Sequence, residues 1–236
     1  MRLLSRNTTL LALLAALLLA TGCATAPAND APSTAAIDPV SSTAWTADMA
    51  RFAAEDAAMP PPQHPVVFTG SSSVRLWQTL ATDFPGMPVL NRGFGGSELR
   101  DAVWYADQIA IHYDPARILI YSGDNDINAG RTPAQVLADF RAFVARVRRD
   151  LPDTPIAFIA IKPSPSRAHL LDLQRQANEL VKAEAARMRN VDYVDVFTPM
   201  LGADGQPRPE LFVDDRLHMS RKGYELWRDV VSPYLR

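Results

Sequence analysis

Short, continuous apolar runs alternate with longer amphipathic stretches along most of the chain. VVF (66–68), residues 88–91, RILIY (117–121), IAFIAI (156–161) and VDYVDV (191–196) predict five strands. Between and around them, 45–58, 74–83, 97–110, 133–149, 168–189 and 220–231 predict helices. The first should stop at the prolines of 60–62, Thr132 and Pro133 are a suitable cap and first-turn pair, and Ser220 is a plausible cap for the last. Strands that are apolar without alternation are buried on both faces, which implies a mainly parallel sheet with helices on either side. The expected fold is α/β, a three-layer αβα sandwich around a mainly parallel five-stranded sheet. No internal repeat is visible and no long polar linker divides residues 63–236, so residues 44–236 are expected to form one domain.

The pattern breaks at the N-terminus. Residues 10–20 read LLALLAALLLA, preceded by Arg2 and Arg6 and followed by Thr21, Gly22 and Cys23. A basic start, a short apolar core and small residues at the end are the pattern of an export signal, and the run is too short for a bilayer that needs about 20 apolar residues. The ending ATGC at 20–23 resembles the lipobox of bacterial lipoproteins, with Ala20 where Leu is more usual. That resemblance implies removal of residues 1–22 and lipid attachment at Cys23. Ala24 in the next position is similar to cargo sent to the outer membrane of Gram-negative bacteria. Residues 23–43, rich in small residues and proline, are expected to be a flexible tether.

Composition narrows the function further. A hydrophobic content of 47% excludes wholesale disorder. The 24 basic and 26 acidic side chains argue against a nucleic-acid partner. Both basic residues of the signal would be lost on processing, leaving a mildly acidic mature chain. Cys23 is the only cysteine, so intramolecular disulfides and cysteine-rich zinc sites are excluded.

In parallel α/β sheets ligands sit beyond the carboxyl ends of the strands, so the residues that follow each strand matter most. The first strand ends in TGSSS (69–73), where Gly70 permits a tight turn and the serines sit at a helix start. Periodicity does not choose among Ser71, Ser72 and Ser73, and a capping role remains open. The second strand leads into NRGFGGSE (91–98); its glycines let backbone approach a ligand, but this is not GxGxxG, and a plain turn remains open. The third leads into YSGDNDI (121–127), in which Asp124, Asn125 and Asp126 suit an Asx turn, a metal or an amide donor. DDRLHMS (214–220) precedes the last helix; of four histidines, only His218 has carboxylates three and four residues before it. Asp215 is thus spaced to hold the imidazole in the tautomer that accepts a serine proton. A surface ion pair is the plainer alternative. Arg92 and Lys162 read as solvated charges, and Trp77, Phe94, Trp104 and Tyr105 as core aromatics.

Over residues 65–234 the sequence resembles the SGNH/GDSL serine esterases and lipases, whose four blocks occur here in order. Gly70-Ser71-Ser72 matches the GDS block, GFGGS the glycine block, GDND (123–126) the third, and Asp215-Arg-Leu-His218 the final DxxH. The resemblance implies a flavodoxin-like sheet, Ser72 as nucleophile, and His218 and Asp215 as its base and orienting acid. The backbone N–H groups of Ser72 and Gly96 and the Asn125 amide would then form the oxyanion hole, with no cofactor and no metal. Ser71 stands where Asp is usual, and Ser97 where Asp often follows the glycines. The expected activity is hydrolysis of carboxylic esters through an acyl-enzyme, on a small acyl ester or an O-acetylated saccharide. A carbohydrate O-deacetylase is the nearer alternative, and a non-catalytic envelope-binding module the more distant. The expected setting is the Gram-negative envelope, with the chain held to the membrane through its N-terminal lipid, on the outer membrane facing the periplasm.

Overall fold

The structure is a computed structural model and describes residues 43–235. The signal segment, Cys23 and all of the tether except Thr43 lie outside the described residues. Five strands, β1 (Val66–Gly70), β2 (Val89–Gly93), β3 (Arg117–Tyr121), β4 (Ile156–Ile159) and β5 (Val191–Val194), form one parallel sheet in the order β2-β1-β3-β4-β5. Helix α1 (Thr46–Ala58) precedes β1; α2 (Ser72–Arg75) and α3 (Leu80–Asp83) follow it, and α4 (Leu99–Trp104) and α5 (Ala106–Ile109) follow β2. After β3 come α6 (Asp124–Asn128) and α7 (Pro133–Asp150); α8 (Leu171–Ala185) joins β4 to β5, and α9 (Arg221–Val231) ends the chain.

Each strand feeds two cores, because successive side chains point to opposite faces. Val67, Ile118, Ile120, Ile156 and Phe158 pack against α1, α4, α5, α7 and α8 through residues such as Phe52, Phe140 and Val181. Phe68, Leu119, Tyr121, Ala157 and Ile159 face the other way, toward Trp77, Phe84 and Trp227 from the α2, α3 and α9 side. This is the three-layer αβα sandwich, with every strand parallel. Thr132 starts α7 as expected, in a reciprocal bond with Gln135. Among the described residues no helix is long and apolar enough to cross a membrane.

Several predicted elements are interrupted, each for a visible reason. The helix expected over 74–83 is two short turns, because the Asp83 carboxylate accepts from Trp77 Nε1 and Thr79 Oγ1, both at 2.7 Å, and folds the chain back. The 97–110 helix breaks at Tyr105, whose ring meets Phe94 edge-on, while Trp104 turns outward and is 57% exposed rather than core. Strand β4 stops at Ile159, since the Asn178 amide takes over both backbone groups of Ile161, at 2.8 and 2.9 Å. The 168–189 helix enters through a 3-10 segment at Pro165–Leu170 and becomes α-helical at Leu171. Ser220 does sit at the start of α9, but its hydroxyl donates to the Glu210 carbonyl and does not cap.

Candidate active site

The first three strands end level. Gly70 pairs with Gly93 on one side and with Tyr121 on the other, so TGSSS, the glycine loop and GDND leave the sheet side by side. Gly70 is required there: its φ is +118°, and an added Cβ would lie 1.8 Å from the Tyr121 carbonyl oxygen. Past it, Ser71 N–H donates to that same carbonyl at 3.0 Å, and α2 begins at Ser72. Ser71 is buried at the cap position, yet its hydroxyl makes no capping bond. The reading of these serines as caps is therefore not supported.

Ser72 Oγ lies 2.9 Å from His218 Nε2, and His218 Nδ1 lies 2.6 Å from Asp215 Oδ2. With Nδ1–H donated to the carboxylate, Nε2 is the acceptor for the Ser72 hydroxyl. The loop that carries this pair is built by its own backbone. Phe212 and Met219 bridge antiparallel, Val213 N–H donates to His218 O, and Asp215 Oδ1 accepts the N–H groups of Leu217 and His218 at 2.9 and 2.8 Å. Burial works against the Asp215 carboxylate, but these backbone N–H groups and the His218 ring outweigh it and bring its pKa down to about 2. Asp215 is thus ionised across the neutral range, in reach of a ring that gains charge when it takes a proton. Tyr224 of α9 donates to Ser73 O at 3.0 Å, fastening the last helix to the serine turn.

The glycine loop and GDND meet beside this chain of bonds. Phe94 N–H donates to Gly70 O at 2.8 Å, Ser97 Oγ donates to Phe94 O at 2.9 Å, and Asn125 Nδ2 donates to Ser97 O at 2.9 Å. Gly96 lies between these anchors at φ +82°, with nothing within 4 Å of an added Cβ. Gly95 receives a bond from outside the block: Trp45 Nε1 donates to its carbonyl at 2.9 Å. Asn125 lies in α6, so the segment is a helical turn and not an isolated Asx turn. Asp124 is committed to protein partners: Lys162 Nζ at 3.1 Å, Arg167 Nη1 at 2.9 Å and Gln174 Nε2 at 3.1 Å. Burial again opposes its charge, and Lys162 and Arg167 override that and hold its pKa below the ordinary carboxylate value.

The structure therefore brings Ser72, His218, Asp215, Gly96 and Asn125 to one edge of the sheet. It corrects the reading of Arg92 and Lys162 as solvated charges. Lys162 is 1% exposed against Asp124, and Arg92 is buried between Asp56 and the Tyr113 hydroxyl. His64 and His112 bond to the backbone carbonyls of Asp114 and Asp107 on the surface. Sequence reading missed Arg167, which donates to Asn125 Oδ1 at 3.1 Å, and Trp45. Arg167 had a signal: it lies in KPSPSR, just past the fourth strand, where the strand-end rule also points.

A doubly wound parallel sheet with its polar groups gathered beyond the carboxyl strand ends defines an α/β protein whose ligand site lies at that edge. The chain belongs to the GDSL-like lipase/acylhydrolase family, whose family model matches residues 61–226. It is 29% identical over 189 residues to human platelet-activating factor acetylhydrolase IB subunit alpha1, covering 76% of this chain and 78% of that one. The rat alpha2 subunit is 26% identical over 168 residues, covering 67% and 70%. Among solved structures, a GDSL-like lipase from Bacteroides thetaiotaomicron superposes with a TM-score of 0.67 at 20% identity, over 80% of this chain and 97% of that one. A catalytic mutant of an acetylxylan esterase from Geobacillus stearothermophilus gives 0.60 at 16% identity, over 73% and 94%. These two share the fold.

Proposed function

We propose that the protein is a serine esterase that removes small acyl groups, acetyl foremost, through an acyl-enzyme. The observation that carries this reading is the hydrogen-bonded run from Ser72 to His218 to Asp215, at 2.9 and 2.6 Å. His218 takes the Ser72 proton as Oγ bonds to the ester carbonyl carbon. The electron pair of the carbonyl moves to oxygen, where the N–H groups of Ser72 and Gly96 and the Asn125 amide receive the charge. His218 then gives its proton to the leaving alcohol, and afterwards activates the water that frees the acid and restores Ser72. Asp215 keeps the ring oriented and stabilises its charged form.

Neither Ser71 nor Ser97 interrupts this path, so these departures from the usual Asp give the non-catalytic reading little support. The acetylhydrolase names of the sequence relatives support a two-carbon acyl group. An envelope location would put both O-acetylated saccharides and acetylated lipids within reach as the alcohol half. For location, the expected product is a chain acylated at Cys23 on the periplasmic side of the outer membrane. Mass spectrometry of the mature N-terminus checks it, and an unmodified chain still beginning at Met1 overturns it.

The test of the activity is p-nitrophenyl acetate hydrolysis with fluorophosphonate labelling. The wild type should turn over the ester and take one label at Ser72, and Ser72→Ala should do neither. Undiminished turnover in Ser72→Ala, or an inert and unlabelled wild type, overturns the assignment. Acetate released from acetylated xylan or peptidoglycan, and none from acetylated lipid, identifies the saccharide substrate; the reverse identifies a lipid.

A further inference from the structure

The peptide between Gly95 and Gly96 accepts a hydrogen bond from a residue outside the family block. Trp45, in the turn that leads into α1, donates Nε1–H to the Gly95 carbonyl at 2.9 Å. Its ring meets Phe94 edge-on, with centroids 6.0 Å apart. The arm that carries it is anchored: Asp56 of α1 pairs with buried Arg92 and accepts from the Tyr113 hydroxyl at 2.7 Å. Trp45 precedes residues 61–226, so this support is not part of the matched region.

A trans peptide is planar, with its C=O and N–H on opposite edges, so fixing the Gly95 carbonyl also fixes the direction of the Gly96 N–H. A peptide flanked by two glycines needs such a fix. Glycine accepts either sign of φ, so the unit between Gly95 and Gly96 can rotate at little steric cost. The anchors at Phe94 and Ser97 stop one residue short of it on either side.

We propose that Trp45 is a positioning residue for the oxyanion site: its indole N–H holds the Gly95–Gly96 peptide so that the Gly96 N–H faces the substrate carbonyl. This rests on the esterase reading above. Donation from Trp45 strengthens the case for a preorganised donor, which costs no rearrangement when charge develops.

The decisive substitution replaces Trp45 with 3-benzothienylalanine, which keeps the bicyclic shape and has sulfur in place of N–H; Trp45→Phe is its genetically encoded companion. With p-nitrophenyl acetate, kcat should fall about tenfold and KM stay within about twofold, less than the loss of a whole oxyanion donor. Inhibition by a trifluoromethyl ketone, which forms a tetrahedral oxyanion, should weaken by the same factor. The isostere should keep the wild-type thermal midpoint, and 5-fluorotryptophan at position 45, which retains the N–H, should restore kcat. A wild-type kcat in the benzothienyl protein overturns the proposal. So does a kcat loss accompanied by a lowered thermal midpoint and unchanged ketone affinity, which makes Trp45 a packing residue. An inert, unlabelled wild type overturns the esterase reading itself, and this proposal with it.

Discussion

Arg167 donates from Nη2 to the Asn125 side-chain carbonyl at 3.1 Å, and its Nη1 lies 2.9 Å from Asp124 Oδ1. One guanidinium thus grips the first two residues of α6. With Oδ1 taken from one side and one amide hydrogen donated to Ser97 O, the Asn125 amide has one hydrogen left for a ligand. The neighbouring Ser166 N–H donates to Arg216 O at 3.0 Å, inside the loop of Asp215 and His218. The segment after β4 therefore braces both halves of the candidate site.

Arg167→Lys should lower kcat about tenfold with little change in KM, because a lysine keeps the charge but loses the planar fork that serves both partners. Arg167→Met should add a loss of stability, since buried Asp124 then gives up one of its two cations. Steady-state kinetics beside urea unfolding separates the effects. A wild-type kcat in Arg167→Lys would show that the Asn125 amide is fixed without it.

Asp215→Asn tests the role proposed for the carboxylate beside His218. An amide that donates to His218 Nδ1 would leave the proton on Nε2, so the ring could no longer accept from Ser72. The expected loss in kcat is about 10³–10⁴-fold in a folded protein, with fluorophosphonate labelling slowed in parallel. Loss of less than about tenfold would mean that the 2.6 Å bond of Asp215 to His218 is a surface ion pair without a part in the reaction.

The sheet was readable because buried parallel strands appear as apolar runs, and the groups of the site because each belongs to a short local block. What the pattern could not carry is long-range. Arg92 and Lys162 look like surface charges until Asp56 and Asp124, 36 and 38 residues away, arrive to neutralise them. Strand β4 reads six residues long because nothing near it announces that Asn178 will claim Ile161. Trp45 reads as the edge of a helix, and only the fold brings it to Gly95, 50 residues on.

The buried cluster of Asp124, Lys162 and Arg167 predicts an asymmetry in stability. Lys162→Met removes one of the two cations from Asp124 and should cost about 3 kcal/mol in urea unfolding. Asp124→Asn leaves Lys162 and Arg167 facing each other without a counter-charge and should cost more. Equal and small losses would mean that water reaches the cluster.

Asp126 predicts a pH dependence of the opposite sign to ordinary acid unfolding. Burial, with the charges of Glu98 and Asp139 adding to it, pushes its carboxyl up to about 7 against the stabilising N–H of Leu99. Nearby Asp101 is pushed up to about 6, by burial first and by the charge of Glu98. A carboxyl with a raised folded-state pKa binds its proton more tightly in the native chain than in the unfolded one. Its contribution is therefore full below the unfolded value of 3.8 and declines as pH rises toward 7. A tenfold difference in proton affinity between the native and unfolded chains is worth about 1.4 kcal/mol, so the unfolding free energy should fall measurably between about pH 5 and pH 7. Asp126→Asn keeps an acceptor for Leu99 N–H and carries no charge, so it should flatten that slope and be the more stable protein at about pH 8. Urea unfolding of both proteins across this range checks it; parallel curves would show that Asp126 is ionised in the native chain throughout.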